Sequence, residues 1–409
     1  MPPAPASPIA FRHRNFVLFW TARLCATFAV QVVSVAVGWQ VYDLTRDPFD
    51  LGLVGLVQFA PAFALVLVTG PAADRFPRRI IMGLCVALEA VGALALVGLT
   101  LVGNVDTGPI FAALFAFGVA RAFFGPASAA LIPSLVPKEA LANAITWASS
   151  SWQFASIVGP VAGGLLYGFS PQAAYMGAAV LLGVGLGAIA LLRVDQPRRT
   201  LDSSWRTLVA GFAYVAKEKI VLGAISLDLF AVLLGGAVAL MPAVARDVLD
   251  VGPWGLGLLR AAPGVGAIAM AVLLSVAPIR DHAGRIMFAC VGLFGLATAV
   301  FGLSETVWLS VAALGVMGAA DMVSVTIRET LLQLWTPDEV RGRVNAVNML
   351  FIGASNELGE FRAGAMASII GVMPAIVAGG VGAMAVAGLW AWWFPGLRTA
   401  RSLERREDG

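Results

Sequence analysis

Apolar runs long enough to cross a hydrocarbon layer, about 20 residues each, recur along the whole chain. They fall near 16–42, 50–73, 80–103, 109–133, 143–168 and 172–193 and, after a polar stretch, near 219–246, 254–280, 285–303, 306–332, 343–370 and 373–395. The pattern predicts an all-helical membrane protein with twelve transmembrane helices, spans 1 to 12, in two sets of six. Several runs exceed 25 residues, which predicts tilted or kinked helices rather than additional spans. The expected organisation is a tail at 1–15, a six-helix bundle at 16–193, a linker at 194–218, a second bundle at 219–395 and a tail at 396–409.

Composition supports the pattern. Of 409 residues, 59% are hydrophobic and 12% are charged, whereas a soluble domain carries about 25% charged residues. With both termini in the cytoplasm, 20 of the 27 Lys and Arg residues lie in cytoplasmic loops and tails, and only Arg46 and Arg246 lie in outer loops. The inverted topology would reverse this bias, against the rule that basic short loops stay inside. The other five, Arg23, Arg121, Arg260, Arg328 and Arg362, lie within spans. An isoelectric point near 9.0 therefore needs no nucleic-acid partner. Cys25, Cys85 and Cys290 stand alone in apolar runs, and His13 and His282 are the only histidines. No disulfide framework, metal site or catalytic triad is expected from that set, and no cofactor. Residues 1–10 lack the apolar core of a signal peptide, so span 1 is expected to be retained. Arginine outnumbers lysine 24 to three, which suits a GC-rich bacterium and its cytoplasmic membrane.

The two halves echo each other. Pro48-Phe49-Asp50-Leu51-Gly52-Leu53 returns as Pro253-Trp254-Gly255-Leu256-Gly257-Leu258, Asp74-x-x-Pro77-Arg78 as Asp281-x-x-Gly284-Arg285, and Pro137-Lys138-Glu139 as Pro337-Asp338-Glu339. Each pair occupies the matching loop of its half, which implies an internal duplication.

Five stretches carry a family resemblance. Between spans 2 and 3 stands Gly70-Pro71-Ala72-Ala73-Asp74-Arg75-Phe76-Pro77-Arg78-Arg79, with four ionisable groups in six residues; such density belongs at a membrane surface. It resembles the loop 2–3 signature of the major facilitator superfamily, with Pro77 where that signature has glycine. Span 4 contains Arg121-Ala122-Phe123-Phe124-Gly125, similar to the superfamily's Arg-x-x-Gln-Gly with Phe124 in place of the glutamine. Span 5 ends in Gly159-Pro160-Val161-Ala162-Gly163-Gly164, which resembles a motif found mainly in proton-exchanging exporters. Thr336-Pro337-x-x-x-x-Gly342-Arg343-x-Asn345 and Trp39-Gln40-x-Tyr42-x-Leu44-Thr45 look like the enterobactin-exporter-like branch. The resemblance implies two pseudo-symmetric six-helix halves and a gating loop at Gly70, Asp74, Arg75, Arg78 and Arg79. It further implies a proton-coupling role for Arg121 and a hinge or tight contact at Gly159, Pro160, Gly163 and Gly164.

Polar positions inside the spans supply the remaining candidates. Arg23, Thr27, Gln31, Ser34 and Gly38 repeat at helical spacing in span 1 and share one face. Thr146, Ser149, Gln153 and Ser156 do the same in span 5. A face of this kind should look into a cavity or a partner helix, although Arg23 also lies close enough to the cytoplasmic surface to snorkel. Arg23, Thr27, Gln31, Ser34, Gln153, Arg328 and Asn348 are the substrate-cavity candidates. The acids Asp228, Asp321, Glu329, Glu357 and Glu360, with Arg121, are the proton-coupling candidates. Glu357 and Glu360 are one turn apart, so both should not stay ionised together in a low dielectric. A static ion pair with Arg362 or Arg328 is the competing reading. Glu89 in span 3 has no evident partner.

These features imply a secondary active transporter, not an enzyme, working by alternating access as a monomer in lipid. Proton-coupled export of a small amphipathic molecule such as a siderophore or drug is expected. Proton-coupled uptake on the same fold and a non-transporting sensor are the alternatives.

Overall fold

The computed structural model describes residues 9–103, 106–194, 212–279 and 281–399. Most of the linker expected at 194–218 and the ends of both tails lie outside them, as do the side chains at 66, 67, 74, 338 and 339. The described residues are helical and contain no strand. In chain order the long helices are α1 (Arg14–Thr45), α2 (Pro48–Arg75), α3 (Arg78–Val102), α4 (Thr107–Leu131), α5 (Leu141–Phe169) and α6 (Pro171–Leu191). They continue as α7 (Lys219–Gly235), α8 (Pro253–Val276), α9 (Ala283–Leu303), α10 (Val307–Trp335), α11 (Asp338–Ile370) and α12 (Val372–Trp393). Their ends follow local chemistry. The Ser170 hydroxyl accepts a hydrogen bond from the Ala173 amide at the start of α6, where Pro171 fills a position that needs no amide donor. Asp106 caps α4 in the same way.

Ten helices among the described residues are long and apolar enough to span a membrane, α7 being counted with its extension to Val248. α5 and α11, of 29 and 33 residues, occupy the positions of spans 5 and 11. Their interior polar residues keep them below that apolar threshold.

Two local departures from expectation have clear causes. Span 7 is not one regular helix. α7 stops at Gly235, Gly236 turns out of the helical region with ψ 114°, and short 3-10, α and π turns carry the chain to Val248. A Gly-Gly step followed by Pro242 accounts for the break. The loop between spans 2 and 3 is shorter than its composition suggests. α2 runs through Pro71 to Arg75 and α3 begins at Arg78, so only Phe76 and Pro77 connect them. Pro77 adopts φ −58° and ψ 117°, a proline conformation, so this turn has no need of glycine.

The chain forms two compact units. One takes the chain up to Gln40 and resumes at Val57; the other takes Val41–Leu56 and the C-terminal half. In the first, α3 packs against α4 and α6, and α5 against α6. In the second, α8 packs against α10, α9 against α10 and α12, and α11 against α7 and α12. Large apolar side chains such as Leu84, Phe169, Val276 and Trp308 point outward and are exposed. Outward apolar faces on spanning helices fit hydrocarbon in place of water.

Candidate functional site

In the first unit, Arg23, Thr27, Gln31 and Ser34 lie along α1 as a half-buried strip between fully buried neighbours such as Ala26, Ala29, Val32 and Val33. The Arg23 guanidinium donates from Nη1 to Ser128 Oγ on α4 at 2.8 Å, so it is directed to a partner helix. Ser128 is fully buried and belongs to the same stretch of α4 as Arg121, which is itself exposed.

The span 5 motif packs on this strip. Gly159, Pro160, Gly163 and Gly164 are buried in α5. A Cβ at Gly159 would come within 2.7 Å of Gln31 Cβ, and one at Gly163 within 3.0 Å of the Val32 backbone. Glycine here sets the α1–α5 approach and the position of Gln31. Further along α5, Gln153 is half-buried and Thr146 and Ser149 are exposed.

The basic loop does structural work at helix ends. Arg78 donates to the Ala73 carbonyl at 3.2 Å and to Ala130 at 2.7 Å, at the ends of α2 and α4. Arg79 donates to Ile189 at 3.0 Å and Ala190 at 2.6 Å, at the end of α6. Each guanidinium thus meets unsatisfied carbonyls at the negative end of a helix dipole. Gly70 sits within the last turns of α2 and Arg75 is exposed at its end, while the Asp74 side chain is outside the described residues.

In the second unit the acids separate into two groups. Asp228 on α7 is paired with Arg328 Nη1 on α10; Arg328 Nη2 stands 3.7 Å from Glu329, whose Oε1 accepts a hydrogen bond from Asn348 Nδ2 on α11 at 2.9 Å. The Asp228 and Arg328 side chains are only 11% and 4% exposed. Asp321 and Ser324, a turn or two earlier on α10, line a small cavity with Asp228 and Cys290.

Glu357 and Glu360 form the other group. Their Oε2 atoms each lie 3.1 Å from the point a Cβ would take on Gly55, so the two carboxyl groups converge on the start of α2. The charge of Glu360 acts on Arg260 of α8. Beside them Gly52 and Gly364 bring the backbones of α2 and α11 together, a Cβ on Gly364 falling 2.7 Å from Gly52 Cα.

The ion-pair partners named from spacing alone are therefore corrected. Arg328 joins Asp228 and Glu329, and Arg362 donates from Nη2 to the Leu234 carbonyl at 2.5 Å. The break after α7 frees that carbonyl, and a nearby guanidinium takes it up. Sequence reasoning missed the roles of Arg260 and Arg362; the Gly235-Gly236 step was the available signal for the latter. It also missed a charge network at the ends of α1 and span 7. Asp43 pairs with Arg246 and lies 3.7 Å from Arg46, Arg46 lies 3.2 Å from Asp247, and Tyr42 donates its hydroxyl to Asp247. Arg46 and Arg246, the two basic residues of the outer loops, are both in it.

A family described as transmembrane secretion effector, of the major facilitator type, matches residues 4–403. The chain is similar to the enterobactin exporter EntS of Escherichia coli O1:K1 and of Shigella boydii serotype 18. Each is 27% identical over 342 residues, covering 82% of this chain and 81% of the relative. Among solved structures, a bacterial homolog of the human lysosomal transporter Spinster superposes with a TM-score of 0.73 at 15% identity, over 96% of this chain and 99% of that one. A bacterial homologue of the iron transporter ferroportin superposes with a TM-score of 0.68 at 17% identity, over 94% and 99%.

Proposed function

Because the chain belongs to the transmembrane secretion effector family of the major facilitator superfamily, a family of membrane transporters, we propose that it is a proton-coupled exporter of a small amphipathic molecule. It works by alternating access in the bacterial cytoplasmic membrane, with both termini inside. The observation that carries the coupling is the buried Asp228–Arg328 pair, with Asp321 on the same small cavity. A cation held beside a carboxylate favours its charged form, and separating the two lets the acid take a proton. A helix movement that parts α7 from α10 would therefore load a proton, and the return would expel it. Intramembrane acids of this kind default to ion pathways.

The α1 strip of Arg23, Thr27, Gln31 and Ser34, with Gln153 from α5, supplies mixed polar contacts for a substrate. The relatives are named enterobactin exporters, so a catecholate siderophore is the first substrate to test. The Gly159-Pro160 motif supports export over uptake.

The test uses acidified inside-out vesicles with a pH-sensitive dye, challenged with enterobactin, cationic dyes and sugars. Enterobactin is expected to collapse the gradient in wild type and not in Arg121→Ala or Arg328→Gln. A well-inserted wild-type protein that leaves the gradient intact with every compound would overturn proton coupling. Substrate accumulation inside right-side-out vesicles would overturn the direction.

A further inference from the structure

Glu89 is an acid deep within a span that the clusters above leave without a role. It sits in the middle of α3, 3% exposed, and its Oε2 accepts no hydrogen bond. α3 packs against α4 and α6. The register with α4 is set one turn away, where Gly92 leaves room for the Phe117 ring; a Cβ there would come within 2.8 Å of it. α3 and α4 are joined by a short connection and run antiparallel. One turn back along α3, from Gly92 to Glu89, is therefore matched by one turn forward along α4, from Phe117 to Arg121. Carboxyl and guanidinium come to the same level, and the Arg121 charge acts on Glu89. The other groups facing it are few. α6 carries Tyr175 as its single titratable residue, and that hydroxyl is donated to Gln40. Cys85 lies one turn away on α3 itself.

A buried carboxyl with an oxygen that accepts nothing is stable when it holds a proton or when a cation reaches it, and costly otherwise. Both conditions are within reach here, because Arg121 is exposed on the neighbouring helix while Glu89 is not. We propose that Glu89 is a proton-carrying residue of the first six helices, exchanging its proton against the approach of the Arg121 guanidinium. The step is proton transfer alone: the acid gives H+ to water at the exposed face of α4, and the carboxylate left behind is neutralised by Arg121. This inference rests on the proton-coupled reading above and assigns a carrier in the half of the chain where that reading named only a cation.

The experiment takes purified full-length protein in lipid nanodiscs and records infrared difference spectra across a pH titration. A carbonyl band of a protonated carboxylic acid should titrate in wild type and vanish in Glu89→Gln. It should persist at a shifted frequency in Glu89→Asp, which guards against a misfolded first variant. Arg121→Gln should displace its titration midpoint, and Arg121→Lys should largely restore it. An unchanged band in Glu89→Gln, or a midpoint indifferent to Arg121, overturns the proposal. In parallel, enterobactin-driven proton movement is measured in proteoliposomes. Loss of that movement in Glu89→Gln alone supports the carrier role; unchanged movement overturns it. Absence of movement in wild type overturns the proton-coupled reading instead, so the two failures are told apart.

Discussion

At the scale of single residues, the most constrained charge in the second unit is Arg328. Its side chain is 4% exposed against an Asp228 side chain at 11%, so each depends on the other for solvation. Removing one partner of such a pair leaves an uncompensated buried charge, at a cost of about 3–5 kcal/mol. Arg328→Met should therefore lower thermal stability sharply in detergent, and Asp228→Asn added to it should recover much of the loss. A double variant as unstable as the single one would show that the guanidinium is held by something other than this pair. Arg79 works differently, binding two terminal carbonyls of α6. Hydrogen bonds to a charged group contribute about 1.5–3 kcal/mol each. Arg79→Gln should lower the melting temperature with little change in substrate affinity, whereas a gating role alone would change transport and leave melting untouched. Much of this was legible from the chain. That Asp228, Asp321, Arg328, Glu329 and Asn348 lie inside apolar spans was enough to single them out. Their partners were not legible, because an arginine reaches whichever acid or carbonyl the neighbouring helix brings to its level. Spacing along one helix sees only the acids on that helix.

At the scale of elements, hydrophobic runs placed the helices well because lipid demands about the same apolar length of each one. They failed at α7, where an uninterrupted apolar count runs straight through Gly235-Gly236. They also overstated the loop after α2, since charge density marks a membrane surface without saying whether the backbone there is helical. The polar content that keeps α5 and α11 below an apolar threshold includes Gln153 and Asn348, both among the substrate-cavity candidates. α5 against α1 is where an element-level claim can be tested. A side chain on Gly163 meets the Val32 backbone at 3.0 Å, and one on Gly159 meets Gln31 at its Cβ, 2.7 Å away, so neither neighbour can swing clear. Overpacking of this kind costs about 1–3 kcal/mol. Gly163→Val is therefore expected to lower both thermal stability and transport rate. Gly159→Ala should lower the melting temperature too and, by displacing Gln31, change apparent substrate affinity. An unchanged melting temperature in either variant would show that glycine at that position does not set the α1–α5 approach.

For the whole molecule, alternating access as proposed requires the ends of α1 and span 7 to part during each cycle. Asp43, Arg46, Arg246 and Asp247 oppose that step. Three of the four have side chains between 43% and 51% exposed, so screening keeps the network's contribution to stability small. That is the useful range for a latch, since about 1.4 kcal/mol already changes a ratio of states tenfold. Under the proposed coupling, a proton crossing about 150 mV supplies about 3.5 kcal/mol, more than a latch of that size holds. Weakening the network should therefore redistribute states without unfolding the protein. With spin labels at Leu44 and Asp250 on a background lacking Cys25, Cys85 and Cys290, wild type should give one short distance. Asp43→Asn with Asp247→Asn should add a longer population, and high salt should shift wild type the same way. The same double variant should retain its melting temperature, because both substituted carboxylates are 43% exposed and asparagine can still accept hydrogen bonds in their place. A distance distribution insensitive to both the substitutions and salt would mean that these charges do not hold the α1 and span 7 ends together, and closure would then have to rest on the backbone contact of Gly52 with Gly364.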